Sequence, residues 1–114
     1  MAIPTAGDIV IGDLPFTDLS GVKRRPLLVL ATPKVAGIND VIVCLVTRRS
    51  WRDDYDVPLD VDDFVSGGLH EASTARPCHL FSISPIAIKG IVAHVTPAKL
   101  KAARDKAAKA VTGK

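Results

Sequence analysis

Residues 7–31 read GDIVIGDLPFTDLSGVKRRPLLVLA and contain two apolar runs with polar and turn-forming residues between them. The first run, residues 8–14, alternates and is rich in β-branched side chains, which favours a β-strand. The second, PLLVLA at 26–31, is continuously apolar and is typical of a buried strand. The pattern therefore predicts two strands joined by a surface loop that carries Lys23 and Arg24.

Four more runs later in the chain have the character of strands. VIVCLVT at 41–47 and GIVAHV at 90–95 are strong candidates, whereas 55–59 and 79–83 are weaker ones. Short strands separated by Gly, Pro, Asp and Ser are typical of antiparallel pairing in a small barrel or sandwich. A Thr-Pro pair then precedes strong helix formers, so a helix is predicted over 97–111.

Length and composition favour one globular domain. The chain has 114 residues, of which 47% are hydrophobic and 24% charged, as in ordinary soluble proteins. Its two cysteines form neither a disulfide framework nor a zinc-ligand pattern, and no segment resembles a secretory leader or a membrane span. We therefore expect a cytoplasmic protein with a single domain over 1–114, composed of a barrel at about 6–95 and the terminal helix, with no metal site and no membrane contact.

The net charge of +3 is distributed unevenly. Residues 97–114 contain six lysines or arginines and one aspartate, while six aspartates fall within residues 53–63. The overall charge therefore does not indicate a polyanionic partner, and such a partner would need cations gathered in one place.

Three short segments, GVKRRP, TRRSWR and STARPCH, supply candidate cations. Arg25 and Arg76 each precede a proline, which favours extended backbone, so both are predicted at the entry of a strand. Thr47 ends the predicted strand 41–47 and is followed closely by further arginines and Trp51. If these strand ends meet, several guanidinium groups surround a hydroxyl beside an aromatic ring, which suits the phosphates and bases of RNA.

A structural interpretation of the same arginines is also open. Arginines at strand ends are commonly solvated or paired with carboxylates, and Asp53 and Asp54 lie close in sequence. From the residues alone, this interpretation is the more frequent one.

The four segments GDIVIGDLPFTDLSGVKRRPLLVLA, DVIVCLVT, GLHEASTARPCHLFSIS and KGIVAHV, in this order before a terminal helix, resemble the MazF/PemK family of toxin endoribonucleases. The resemblance covers nearly the whole chain. It implies a mainly β fold, an SH3-like small antiparallel β-barrel with a C-terminal helix, and usually a homodimer. It also implies the toxin of a type II toxin–antitoxin system, whose partners are single-stranded RNA and a cognate antitoxin. Family members cut RNA without a metal or other cofactor, the 2′-hydroxyl attacking the adjacent phosphate to leave a cyclic phosphate and a 5′-hydroxyl.

The resemblance also implies roles for individual residues. The arginine before proline in the family falls on Arg25 and the threonine ending its central strand on Thr47, so these are the predicted catalytic residues. Arg76 matches the arginine of a second family segment and is a possible auxiliary, as is the neighbouring His79, whose imidazole could transfer a proton. The predicted RNA-binding residues are Lys23, Arg24, Arg48, Arg49 and Trp51.

Three departures from the family pattern bear on activity. Cys78 stands where some members have an acid, Arg48 stands where many have serine, and histidines of the first family loop are replaced by Thr17, Asp18 and Ser20. They motivate an alternative, a non-catalytic barrel of this family that binds RNA or a protein partner. A third possibility, ranked last, is that the basic terminal helix serves as an arm for a nucleic acid or a membrane surface.

Overall fold

The computed structural model describes residues 3–15, 22–34, 36–37 and 39–113, with the side chains of 15, 22 and 23 excepted. Seven strands form one antiparallel sheet in the order β4-β6-β3-β2-β1-β7-β5, curved into a nearly closed barrel. The strands are β1 (Asp8–Pro15), β2 (Val22–Ala31), β3 (Val41–Thr47), β4 (Val57–Leu59), β5 (Phe64–Gly67), β6 (Ser73–Ile83) and β7 (Ile88–Val95). Two 3₁₀ turns, Val61–Asp63 and Pro85–Ala87, and one helix, α1 (Pro97–Thr112), complete the described elements.

The central strands β2 and β3 are apolar on both faces of the sheet. Consecutive side chains of a strand point to opposite faces, and Leu27 and Leu28 accordingly enter two different apolar clusters. The neighbouring side chains of Val43 and Cys44 likewise belong to different clusters. This two-sided burial explains why both strands read as continuous apolar runs rather than as alternating ones.

Helix α1 covers one of these clusters. Ala103 is fully buried in the cluster that contains Leu28 and Cys44, and Leu100 packs against it. The helix begins as the sequence predicts: Pro97 occupies the first turn, and the Thr96 hydroxyl accepts a hydrogen bond from the backbone N–H of Lys99 at 3.3 Å.

The mainly β architecture with a C-terminal helix is confirmed, and most predicted elements lie within a few residues of the observed ones. The weak strand candidates 55–59 and 79–83 correspond to the short β4 and to the second half of the long β6. Strand β5 was not predicted, since its four residues form a strand only through pairing with β7.

The prediction that Lys23 and Arg24 lie on a loop before the strand is wrong. Strand β2 begins at Val22, and Arg24 pairs with Asp13 across the β1–β2 ladder. The opposite charges of this cross-strand pair favour continued pairing, so the cations extend the strand. Thr17, Asp18 and Ser20, which the sequence placed on this connection, lie outside the described residues.

The prediction that Arg25 and Arg76 stand at strand entries is also wrong, because each is the fourth residue of its strand, Arg25 in β2 and Arg76 in β6. After Arg76, β6 forms a bulge: Leu45 pairs with Arg76, whereas the preceding Cys44 pairs with Leu80. The proline that follows Arg76 lies in this bulge, where a missing N–H removes no ladder hydrogen bond.

Gly67 at the end of β5 is fixed by its surroundings. Its φ of +65° is one that residues with a Cβ rarely adopt, and an added Cβ would overlap the carbonyl oxygen of Val92 and lie 2.8 Å from the Cα of Ala93. We expect Gly67→Ala to lower the free energy of unfolding by about 2 kcal/mol or more, since backbone strain alone costs about 1–3 kcal/mol. Urea unfolding measures the loss.

Gly68 is the matched control, because a Cβ there meets no atom within 4 Å. We expect Gly68→Ala to change the free energy of unfolding by less than about 1 kcal/mol. Equal losses in the two variants would contradict the assigned packing of β5 against β7.

Candidate functional site

The two predicted catalytic residues, Arg25 and Thr47, lie on neighbouring strands. Leu27 of β2 pairs with Leu45 of β3, and the same register extended by two residues along both strands places Arg25 beside Thr47. Since residues two apart in a strand share a face, Arg25 lies on the same face as Leu27, and Thr47 on the same face as Leu45. This is the face of the sheet that α1 does not cover. Arg25 and Thr47 are half-buried, so both stand at the edge of the core.

The hydroxyl of Thr47 also binds the segment of chain that follows β3. Its Oγ1 accepts a hydrogen bond from the backbone N–H of Arg49 at 3.2 Å. A hydroxyl has one proton to donate besides the lone pairs that accept. Thr47 is thereby oriented by the segment that follows it, here named loop 48–56, and retains its own proton as a donor.

Loop 48–56 is organised around one carboxylate. Asp56 Oδ2 accepts hydrogen bonds from Ser50 Oγ at 2.6 Å and from the backbone N–H of Arg52 at 2.7 Å. Its other oxygen, Oδ1, accepts from Arg76 Nη1 at 2.7 Å. The loop is therefore closed upon itself and attached to Arg76 of β6.

Arg76 is held by two carboxylates. Besides Asp56, Asp53 Oδ1 accepts from Arg76 Nη1 at 2.6 Å, and only 6% of the Arg76 side chain is exposed. Asp53 is 40% exposed and Asp56 only 9%. We call these three residues the aspartate–arginine cluster; within it, the Arg76 charge is neutralised inside the protein.

The pKa values of the aspartate–arginine cluster are displaced in the directions that favour charge. The hydrogen bond from Arg76 lowers the pKa of Asp53 below its ordinary value of 3.8. Burial opposes the ionisation of Asp56, but hydrogen bonds from Ser50, Arg76 and the backbone of Arg52 together lower its pKa as well. The hydrogen bond to Asp53 in turn raises the pKa of Arg76, against the effect of burial. Both carboxylates are therefore ionised when the cluster is formed.

Trp51, at the tip of the loop, lies against this cluster. The Cζ atom of Arg76 is 4.6 Å from the centre of the Trp51 ring, and that of Arg49 is 4.8 Å from it. The ring of His79 meets Trp51 edge-on with 5.9 Å between ring centres. Trp51 remains 39% exposed, so the structure joins three predicted residues around a partly open aromatic ring.

Of the remaining predicted RNA-binding side chains, those of Arg24 and Arg48 are at the surface. Arg48 donates to Glu71 Oε2 at 2.8 Å, and Arg24 lies 3.4 Å from Asp13 Oδ1. Exposed ion pairs of this kind are worth about 0–1 kcal/mol, so another anion can replace the carboxylate. The side chain of Lys23 lies outside the part of the chain that the structure describes.

The two cysteines occupy different environments. Cys44 is fully buried, and burial raises its pKa to about 12, so it remains a thiol within the core. Cys78, at the position of the family acid, is half-buried in the β6 bulge and carries no carboxylate. The carboxylates beside Arg76 come instead from loop 48–56, as one of the two interpretations of the sequence allowed for Asp53.

The cations of α1 are mostly bound within the protein. Lys109 Nζ lies 3.2 Å from Asp54 and 5.5 Å from the ring centre of Tyr55. Arg104 Nε donates to the carbonyl oxygen of Leu30 at 2.9 Å. These contacts favour a structural role for the helix over the nucleic-acid arm that the sequence left open.

Among the residues that the structure describes, no group of three His, Cys, Asp or Glu side chains is placed to hold a metal ion. Within the same residues, no helix is long and apolar enough to cross a membrane.

Comparisons with known proteins agree on one family. Residues 5–111 match the model of a family described as PemK-like, MazF-like toxin of type II toxin–antitoxin system. A MazE–MazF structure from Deinococcus radiodurans is 25% identical with a TM-score of 0.72, and the match covers 99% of this chain and 98% of that one. A comparison with curated protein sequences gave no match.

Two mycobacterial structures share the fold at lower identity. An endoribonuclease is 16% identical with a TM-score of 0.74, over 98% of this chain and 94% of that one. An endoribonuclease in complex with its cognate antitoxin is also 16% identical, with a TM-score of 0.70, over 98% of this chain and 96% of that one. At this identity they are evidence for the shape of the barrel alone.

The aspartate–arginine cluster predicts a loss of stability in acid. Because the pKa values of Asp53 and Asp56 are lowered by folding, their contribution is present above about pH 4 and is lost as the pH falls through the folded-state values. We expect Asp56→Asn to lower the free energy of unfolding at pH 7 by about 1–3 kcal/mol. The same substitution should reduce the further loss between pH 6 and pH 3, measured by urea unfolding at each pH.

Asp62→Asn is the control, because Asp62 is an exposed aspartate of the neighbouring 3₁₀ turn. It should keep the pH dependence of the unsubstituted protein. If Asp56→Asn shows the same pH dependence of unfolding as the unsubstituted protein, the cluster is not the source of the acid-sensitive stability.

Proposed function

The chain belongs to the PemK-like, MazF-like toxins of type II toxin–antitoxin systems, and from this we propose that it is a metal-independent endoribonuclease that cleaves single-stranded RNA. We place this activity in the cytoplasm, where a toxin would meet messenger RNA. The observation that carries the proposal is the antiparallel pairing of β2 with β3, whose register, continued by two residues from the Leu27–Leu45 pair, brings Arg25 opposite Thr47. A fixed cation and a hydrogen-bond donor side by side suit a phosphodiester that gains negative charge during reaction.

The proposed reaction is an internal transesterification. The 2′-oxygen of one nucleotide forms a bond to the adjacent phosphorus, and the bond from phosphorus to the 5′-oxygen of the next nucleotide breaks. The products are a 2′,3′-cyclic phosphate and a 5′-hydroxyl. The 2′-hydroxyl loses a proton and the departing 5′-oxygen gains one, so no water molecule is consumed and no cofactor is required.

Arg25 and Thr47 have separate roles in this scheme. Arginine retains its positive charge in proteins, so Arg25 stabilises the charge that accumulates on the phosphate oxygens and donates a hydrogen bond to the departing 5′-oxygen. Thr47 donates its hydroxyl proton to a phosphate oxygen or positions the attacking hydroxyl. His79 is the auxiliary candidate for accepting the 2′-hydroxyl proton, because its ring lies in the same group of side chains around Trp51.

The surface cations and Trp51 form the proposed RNA-binding surface. Arg24 and Arg48 are exposed and hold carboxylates that a phosphate can replace. Trp51 and the Arg49 guanidinium against it offer planar surfaces on which an unstacked base can lie. Lys23, next to Arg24 in β2, is assigned to the same surface from the sequence.

RNA cleavage in the presence of EDTA tests the proposal. We expect the purified protein to cut a long single-stranded RNA without added metal and to leave cyclic phosphate and 5′-hydroxyl ends, identified by end mapping. Arg25→Ala should reduce the rate by at least about 10²-fold, as the loss of one well-placed donor does in other active sites. Thr47→Val should have a comparable effect, because it removes the hydroxyl and little volume.

Two variants control for unspecific effects. Thr47→Ser retains the hydroxyl and should keep most of the rate, and Lys101→Ala removes an exposed cation of α1 and should keep all of it. No cleavage by any preparation, or cleavage only with added metal, would contradict the mechanism. RNA binding without cleavage would identify the protein as the non-catalytic barrel of the alternative hypothesis.

We further propose a homodimer that is neutralised by a cognate antitoxin. The support is the MazE–MazF assembly of a relative that is 25% identical and the set of exposed arginines, which suits an acidic, initially disordered segment. Light scattering after size exclusion should give the mass of two chains. Adding the product of the neighbouring reading frame should raise this mass and stop cleavage; a monomer that no such product inhibits would contradict this assembly.

A further inference from the structure

Arg76 is an unusual candidate for a phosphate contact. It is the described arginine with the strongest burial, at 6% exposure of its side chain, and its Nη1 already donates to Asp53 and Asp56. Its Nε is buried and has no hydrogen-bond partner among the described residues. For a phosphate to reach this guanidinium, loop 48–56 would have to leave β6.

The same contacts give Arg76 a different use. Loop 48–56 is bound to itself through Asp56 and to β6 through Arg76. In the sequence, Trp51 lies between Ser50 and Arg52, which both donate hydrogen bonds to Asp56. The Arg76 guanidinium also lies 4.6 Å from the centre of the Trp51 ring. The ring therefore lies against a charged group that is itself held by two carboxylates.

We propose that Arg76, held by Asp53 and Asp56, is a positioning residue that fixes the Trp51 ring as a stacking surface for an RNA base, and that it does not bind phosphate. This inference rests on the proposed function and assigns its base contact. It also gives a role to the aspartates that follow β3. They hold the Arg76 guanidinium, against which the Trp51 ring lies, and the exposed face of the ring remains accessible to the base.

The chain contains a single tryptophan, so its fluorescence reports on this ring directly, independently of any activity. In the double variant Asp53→Asn/Asp56→Asn, we expect the emission to move to longer wavelength and quenching by acrylamide to increase. Asp54→Asn is the matched control, since Asp54 belongs to the same loop but binds Lys109 instead of Arg76. It should leave both measurements unchanged. Circular dichroism verifies that each variant is folded. If the double variant does not fold, Asp53→Asn alone, which changes the more exposed carboxylate, takes its place.

Binding of RNA separates positioning from phosphate binding. The probe is a mixed-sequence 2′-O-methyl oligoribonucleotide, which cannot be cleaved because the attacking hydroxyl is blocked. We expect the double variant to bind it about tenfold more weakly, the scale of one lost base–aromatic contact. The dependence of the binding constant on salt should not change. If Arg76 were instead a phosphate ligand, its release from the carboxylates would strengthen binding and steepen the salt dependence by about 0.7 in the logarithmic slope.

A double-mutant cycle shows whether the cluster acts through the ring. Trp51→Ala should weaken binding by a similar factor, and adding Asp53→Asn/Asp56→Asn to Trp51→Ala should weaken it no further. Additive losses would overturn the proposal, as would tighter binding by the double variant or unchanged fluorescence quenching. Failure of the unsubstituted protein to bind RNA would contradict the proposed function together with the stacking role. Unchanged quenching in the variants contradicts the positioning role even when the unsubstituted protein cleaves RNA.

Discussion

Both faces of β2 and β3 must be kept from water, and the rest of the molecule follows from this constraint. On one face the helix α1 supplies the cover, and on the other the curvature of the sheet brings its own apolar side chains together. Polar side chains therefore have no place along the middle of these strands. They stand beyond the apolar stretch of each strand, and for this reason Arg25 and Thr47 both lie at the edge of an apolar core.

A charged side chain that is buried in such a core must be paired with an opposite charge and hydrogen-bonded within the protein. Arg76 stands on β6, next to β3, and its guanidinium is reached by carboxylates from the chain that leaves β3. Removing either carboxylate leaves the charge with less compensation. The local structure of loop 48–56 is thus coupled to the charge balance of one buried residue, and an aromatic ring depends on both.

The sequence predicted the elements whose signal is local. The apolar runs of β2 and β3 and the Thr-Pro start of α1 specify these elements by themselves. Strand β5 and the first residues of β2 were missed because their strand character comes from partners far along the chain, as in the pairing of Arg24 with Asp13. Within the candidate site, Arg25 precedes the apolar part of β2 and Thr47 ends β3, as the two apolar runs predicted. The burial of Arg76 was not predictable, since its partners stand 20 and 23 residues away and only the fold brings them together.

The exposed ion pairs of Arg24 and Arg48 have a consequence for selectivity. A cation that already holds a carboxylate gains little when it exchanges that partner for a phosphate, because one ionic contact replaces another. Under the proposed function, the arginine-rich segments therefore attract DNA, structured RNA and other polyanions less than a count of their cations suggests. Under the proposed function, this surface distinguishes one polyanion from another by the shape of the strand and by its unstacked bases. A double helix, whose bases are already stacked, offers no such base.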